Sequence, residues 1–396
     1  MKPCLFISVA VCAMASSVPG AAGEATVPAM REAVQRSLPF IEKTSTKWMA
    51  ENRCNSCHVV TFHVWSHTAA AAHGLDVDKQ SLTNFTQWAL SNSLAEDHWQ
   101  RLRMQAMINL KTAGMSDELI KKLETLGTKN FTTEPLFLAA LEKAIGKEDL
   151  AKYKDALLRE SKLPDNGGGP DTLAQLLLGR SAADEDRAMS DSYAAVRALL
   201  LEWQEPDGSW LAAGQLPGLK WEDDKEMNAA TTMWSLLALS AGDPTDAALM
   251  KSRERALAYL QTIPPGKTAQ TLALRLIIAH QFSEPAQAKT RCAEVLSRQN
   301  PDGGWSWWQD SKVSDAFATG QVLYALGTVG RLGGDPEVGR AWQFLLQSQG
   351  VDGRWEVPQQ GINKKVRKLN VYPCWGTAWA AIGILQTMPV AEETRN

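Results

Sequence analysis

Three phrases in the second half of this chain constrain its fold more than anything else in it: Gln204-Glu-Pro-Asp-Gly-Ser-Trp210, Gln299-Asn-Pro-Asp-Gly-Gly-Trp305 and Gln349-Gly-Val-Asp-Gly-Arg-Trp355. All satisfy Gln-x-x-Asp-Gly-x-Trp. They start 95 and 50 residues apart, so a degenerate copy is expected between the first two, at 256–266. A recurrence of roughly 48 residues marks stacked supersecondary units, none of which buries its apolar face alone. Each phrase has the same flanks. An amphipathic helix is predicted before it (193–203, 291–298, 338–347) and a more continuously apolar helix after it (228–240, 316–329, 375–387). A helix apolar on most faces is buried, so the unit pairs an outer, half-exposed helix with an inner, buried one. The Asp-Gly pair makes the intervening turn. The expected fold is all-α.

With these helix pairs, the Gln-x3-Gly-x-Trp phrase resembles the repeat of the squalene cyclase and protein prenyltransferase superfamily. The resemblance covers residues 190–390 well and 24–190 weakly. It implies an α/α toroid, with inner helices around a central cavity. It also implies that Gln204, Trp210, Gln299, Trp305, Gln349 and Trp355 tie neighbouring outer helices together. A weak first repeat is expected at the N-terminus, with an outer helix at 31–41, a turn at 46–48 and an inner helix at 58–74.

The residues that carry the family's chemistry are missing. No Asp-x-Asp-Asp acid is present; Asp184-Glu-Asp-Arg187 and Glu222-Asp-Asp224 are imperfect, and Lys225, Glu226, Met227 and Asn228 stand where the acid would be. The prenyltransferase Asp-x-Cys zinc pair is also absent, because Thr290 and Tyr372 precede Cys292 and Cys374 by two residues. On the toroid rim, Trp221, Glu222, Asp223, Asp224 and Glu226 precede one inner helix, and Trp305, Trp307, Trp308, Asp310 and Asp315 precede another. Carboxylates there are read chiefly as helix caps, although aromatic faces beside carboxylates also suit a sugar or an apolar ligand.

The N-terminal third carries a different signal. Residues 1–22 have the basic start, apolar run and small-residue end of a cleavable export signal. The apolar run is too short for a membrane span. A periplasmic or secreted protein is therefore expected, with no membrane span in the mature chain. A net charge of −3 gives no reason to expect nucleic acid as a partner. Beyond the signal lies Cys54-Asn-Ser-Cys57-His58, the pentapeptide on which c-type haem is attached. Two thiols on one helical turn would form thioethers, and His58 would ligate the iron. Candidates for the second axial ligand are Met104, Met107, His73 and His98. The two methionines also fit the buried stripe of a helix. Zinc competes for the same residues, since Cys54, Cys57, His63 and His67 supply four N and S donors.

The expected organisation is a signal at 1–22, an N-terminal helical region with the haem motif at 23–165, and a cyclase-like repeat region at 171–390. Two functional classes follow. One is an exported haem-c protein for electron transfer or redox or ligand sensing, with a redox partner protein. The other is a haem-free toroid that binds an apolar or polysaccharide ligand. A terpenoid cyclase is disfavoured by the missing acid.

Overall fold

A computed structural model describes residues 25–52, 58–94, 114–124, 134–159, 169–180, 187–212, 224–241, 245–358 and 371–389. The expected export signal lies outside them. The described residues form fifteen helices and no strand beyond two isolated bridges, Thr268 with Trp308 and Trp305 with Asp315. In chain order the helices are α1 Val27–Asn52, α2 Val59–Ala72, α3 Lys79–Leu94, α4 Asp117–Glu124, α5 Glu134–Ile145, α6 Lys147–Arg159, α7 Pro170–Leu178, α8 Arg187–Glu202, α9 Asp224–Ser240, α10 Ala247–Thr262, α11 Ala269–Phe282, α12 Pro285–Ser297, α13 Ala316–Thr328, α14 Pro336–Ser348 and α15 Tyr372–Thr387. No described helix is long and apolar enough to cross a membrane.

Six of these close a ring. α2 packs on α7, α7 on α9, α9 on α11, α11 on α13, α13 on α15, and α15 returns to α2. Around them stand α1, α3, α8, α10, α12 and α14, each packed on at least one inner helix or its neighbours. The architecture is an α/α toroid. The composition of each layer accounts for its place. α15 is buried at nearly every position, whereas α14 buries only Val338, Ala341, Trp342 and Leu345, a spacing of three and four that makes one helical stripe.

Neighbouring inner helices run parallel. A Cβ at Gly320 of α13 would fall 2.3 Å from the Trp379 carbonyl of α15, and one at Gly327 would meet Gln386, so the two helices advance in step. His58 of α2 lies beside Asp171 of α7, and Trp65 lies beside Gly179, again in step. The N-termini of the inner helices therefore share one end of the ring.

The repeated phrase joins units to each other. The Gln349 amide donates to Gly353 O within its own turn (2.8 Å) and to Ala33 O of α1 (2.7 Å). Gln299 does the same for Gly303 O and Glu337 O (both 2.8 Å), and Gln204 for Gly208 O (3.0 Å) and Ser252 O (2.9 Å). The amide oxygen of each is taken by an arginine of the next outer helix: Arg255 on Gln204, Arg340 on Gln299, Arg36 on Gln349. Each tryptophan bridges inward. Trp210, Trp305 and Trp355 donate Nε1–H to the carbonyls of Leu200, Val295 and Leu345, ten residues earlier. Their backbone N–H groups meet the hydroxyls of Thr232, Thr319 and Thr377 on the inner helices, all at 2.9 Å. The tie between neighbouring outer helices expected of both residue types holds for the glutamines, whereas each tryptophan joins the outer and inner helices of its own unit. The degenerate copy at 256–266 is the end of α10 and its turn into α11.

One expectation for the N-terminus is corrected. α1 is one helix through 46–48 rather than a helix and a turn. No glycine stands there to reverse the chain, and the Thr44 and Thr46 hydroxyls bond back to Phe40 O (2.8 Å) and Glu42 O (2.9 Å). α1 and α2 complete the ring built by the later repeats.

Gly353 has φ +80°, and a Cβ on it would lie 2.1 Å from Arg36 O, the backbone across the ring closure. Gly353→Ala is therefore expected to destabilise the fold by about 2 kcal/mol or more. Gly334→Ala, at a position with nothing within 4 Å, should be close to neutral. Chemical denaturation of both variants checks this, and equal midpoints would refute the seam as a constraint.

Candidate functional site

The end of the ring that gathers the inner-helix N-termini also gathers its polar side chains. His58 is the residue before α2 and has φ 59°, the only positive φ among the described non-glycine residues. A left-handed residue with a Cβ costs about 1–2 kcal/mol, and histidine is among the types enriched there. The conformation delivers the imidazole into the ring. Its Nε2 lies 2.9 Å from Asp171 Oδ2 and 3.2 Å from Thr172 Oγ1, both in the first turn of α7. His58 and Asp171 are 4% and 3% exposed, so solvent does little to screen this pair. The second carboxylate oxygen, Asp171 Oδ1, is buried with no protein partner, and so is Gln175 Oε1 one turn further along α7.

Aromatic rings surround the pair. Phe62 lies 5.3 Å and Trp375 6.1 Å from the imidazole, centroid to centroid, and Phe317 and Trp307 extend the group across α13 and its preceding turn. Deeper along the axis, Trp65 touches Trp379 and Tyr324 (both 5.2 Å) and Trp234 (5.9 Å). Four inner helices thus meet through their rings at this level. These rings fill the axis at a level where the resemblance implied a central cavity, and the candidate site lies at the mouth above them.

Two further carboxylates at this end are bound into the structure, Asp315 and Glu226. Asp315 caps α13 through Ala318 N (2.7 Å) and receives Trp307 N (3.1 Å) on its other oxygen. Burial pushes its carboxyl up to about 6. Glu226 Oε1 accepts from Lys267 N, Thr268 N and the hydroxyls of Thr268 and Thr271, between 2.6 and 2.9 Å, which fixes the start of α11 beside α9. The capping reading holds for Asp315, whereas Glu226 braces the turn before α11, whose own N-cap is Thr268. Glycoside hydrolysis ordinarily needs a facing pair of carboxyl groups, and neither of these two has both oxygens open to serve with Asp171. Trp221, Glu222 and Asp223 lie outside the described residues, and Asp224 opens α9.

Of the expected haem ligands, His58 and His73 are among the described residues. Cys54, Cys57, Met104, Met107 and His98 lie outside the described residues. The Nε2 of His58, which would have to face the iron, is held by Asp171 and Thr172 under a lid of Phe62 and Trp375. As placed, His58 does not fit iron ligation. His73 is the residue after α2, about 20 Å along one continuous helix from His58. It therefore cannot be the opposing ligand. Burial lowers its pKa, with the Arg31 charge adding to the effect.

His63 and His67, the zinc candidates, stand on a different face of α2. Their rings stack at 3.9 Å with planes 5° apart, and His63 also lies 3.9 Å from Phe85 of α3. Stacked faces do not converge two lone pairs on one ion. His67 Nδ1 donates to His63 O (3.1 Å), leaving His67 Nε2 and His63 Nδ1 buried without partners. Among the described residues no group of three potential metal ligands converges. Burial holds His63 well below its usual pKa and brings His67 to about 4.

Sequence reasoning misses Asp171, which directly follows the glycine-rich stretch Asp165-Asn-Gly-Gly-Gly-Pro170. The signal was present: Pro170 after glycine, then a run of apolar residues, is a helix start with proline at its first position.

No protein-family model matches the chain, and no curated protein matches it in sequence. Among solved structures it is similar to a glycosidase in complex with glucose, 13% identical, with a TM-score of 0.43 over 91% of this chain and 98% of that one. It is also similar to a type II terpene cyclase from Scytonema in complex with geranylgeranyl dihydroxybenzoate, 15% identical, with a TM-score of 0.36 over 83% and 98%. The ring assignment rests on the helix contacts described above.

The stacked histidines set an acid limit. Both are neutral when folded and protonate near 6.5 when unfolded, so the unfolded chain binds more protons between about pH 6.5 and 4. Stability is expected to fall through that window as pH falls, by about 1.4 kcal/mol per pH unit for each histidine. Urea denaturation from neutral to pH 4 should show a shallower loss for a His63→Phe/His67→Leu double variant than for the parent. Parallel curves would mean the pair does not matter.

Proposed function

We propose that this protein is an exported toroid that binds a ligand at the mouth of its inner ring, with His58 and Asp171 as the proton-active pair that meets it. The observation that carries this reading is Asp171 itself: a carboxylate 3% exposed, one oxygen on His58, the other without a protein partner. Native proteins leave very few buried acceptors unpaired, and those that remain call for an explanation such as an ion, a water or a ligand donor. Gln175 Oε1 adds a second such acceptor on the same helix face. The surrounding Phe62, Phe317 and Trp375 offer an apolar wall, so the ligand is one with a hydroxyl or amine donor on an otherwise apolar or saccharide body. The strained backbone of His58 supports a functional reading, because strain of this kind persists where surrounding structure holds it and concentrates at working sites.

The chemistry available to the pair follows from the hydrogen bonds. With Asp171 ionised, the imidazole proton sits on Nε2 and is shared by Asp171 Oδ2 and Thr172 Oγ1. The ring lone pair is then on Nδ1. A carboxylate that fixes the tautomer and steadies the charged ring is how a histidine base is oriented. Export, to the periplasm or the exterior, is supported by the basic and apolar start of the chain.

The competing reading is haem c on Cys54 and Cys57, favoured by the thiol spacing and by the imidazole that directly follows it. It requires His58 to leave Asp171. Intact mass of the mature protein, produced in a host with working cytochrome maturation, separates the two. The dyad reading expects no haem increment. It also expects His58→Ala and Asp171→Ala each to destabilise by about 3 kcal/mol, and the double variant by clearly less than their sum. A haem increment lost in Cys54→Ala, or fully additive variants, would overturn it.

A further inference from the structure

A second candidate site lies outside the ring mouth. A groove of about 560 Å³, open to solvent, is lined by Gly266, Lys267, Arg298, Trp308, Gln309 and Asp310. Its volume is within the ~300–1,000 Å³ usual for small-ligand sites. The groove is built on fixed backbone. Ala269 N–H donates to Trp307 O (2.8 Å) and Gln309 N–H to Lys267 O (2.9 Å), joining the turn before α11 to the segment before α13. The Gln309 side chain is held by the same pair of segments: its Nε2 donates to Gly266 O (3.1 Å) and Thr268 O (3.0 Å). The walls are therefore in place before any ligand arrives.

The chemistry of the lining selects an occupant. Trp308 is half-buried and contributes an indole wall, suited to the C–H face of a pyranose ring. Gln309, with both amide hydrogens engaged, leaves Oε1 to accept, and Asp310 is exposed and accepts also; both match hydroxyl donors. Lys267 and Arg298 are exposed cations of the lining and match carboxylates. A molecule with an apolar ring face, several hydroxyls and a carboxylate on each unit satisfies all of these at once. We infer that this groove binds an acidic oligosaccharide built of uronic acid units.

The groove shares no lining residue with the His58–Asp171 pair, so the two readings stand or fall separately. The test is calorimetric titration of the full-length mature protein with oligogalacturonate, oligoglucuronate and oligomannuronate hexamers, with cellohexaose as the neutral comparison. Saturable binding of at least one uronate is expected, about tenfold or more tighter than cellohexaose and weakened by added salt. Trp308→Ala and the surface variant Lys267→Glu should each weaken it about tenfold or more, whereas Lys79→Glu, at an exposed position outside the groove's lining, should leave it unchanged. Lys267 is exposed, so Lys267→Glu keeps the test valid should Trp308→Ala fail to fold. The inference is overturned by no binding of any of the three uronates, by equal binding of cellohexaose, or by affinity indifferent to Lys267→Glu.

Discussion

The glutamine that leaves one turn and grips the next outer helix is the interaction on which the molecule depends. A helix pair of this kind cannot hide its inner helix by itself. Gln204, Gln299 and Gln349 each satisfy two carbonyls, one local and one in the following unit, and an arginine of that unit closes on the amide oxygen. An arginine–amide contact adds a charge-assisted bond to two neutral ones. Because the third glutamine reaches α1 instead of a later repeat, the same joint that spaces the units also ends the series as a closed ring.

Closure has a chemical result. With the inner helices parallel, their N-termini, rich in unsatisfied N–H groups and positive in character, collect at one end. Among the described residues, Asp315 and Glu226 are bound to backbone N–H groups at that end. Asp171 differs in that it faces an imidazole and keeps an oxygen in reserve. The distinction between a capping and a working carboxylate lies in what its second oxygen does.

The ring was legible in the sequence because its joints are local and repeated. Gln, Gly and Trp stand at fixed offsets, and the apolar helices between them announce their burial. Their arginine partners were not legible, since Arg36, Arg255 and Arg340 sit on other helices in ordinary amphipathic contexts. The same holds for the pair at the mouth: His58 was visible as the end of a pentapeptide, but Asp171 lies 113 residues away beside a glycine run. The filled axis was also hidden. Trp65, Trp234 and Trp379 read as generic apolar positions, and only the curvature of the assembly makes them converge.

The seam between α1 and the last repeat has a kinetic counterpart. Gln349 and Ala33 are 316 residues apart, so the first helix must wait for nearly the whole polypeptide before its edge is covered. Chains dominated by such remote pairings fold slowly, and the partly wound spiral that precedes closure exposes apolar flanks at both ends. The first and last described helices, α1 and α15, also lie against each other. A permuted gene that begins between two other repeats and links the end of α15 to the start of α1 would wind up the same circle from a different starting point.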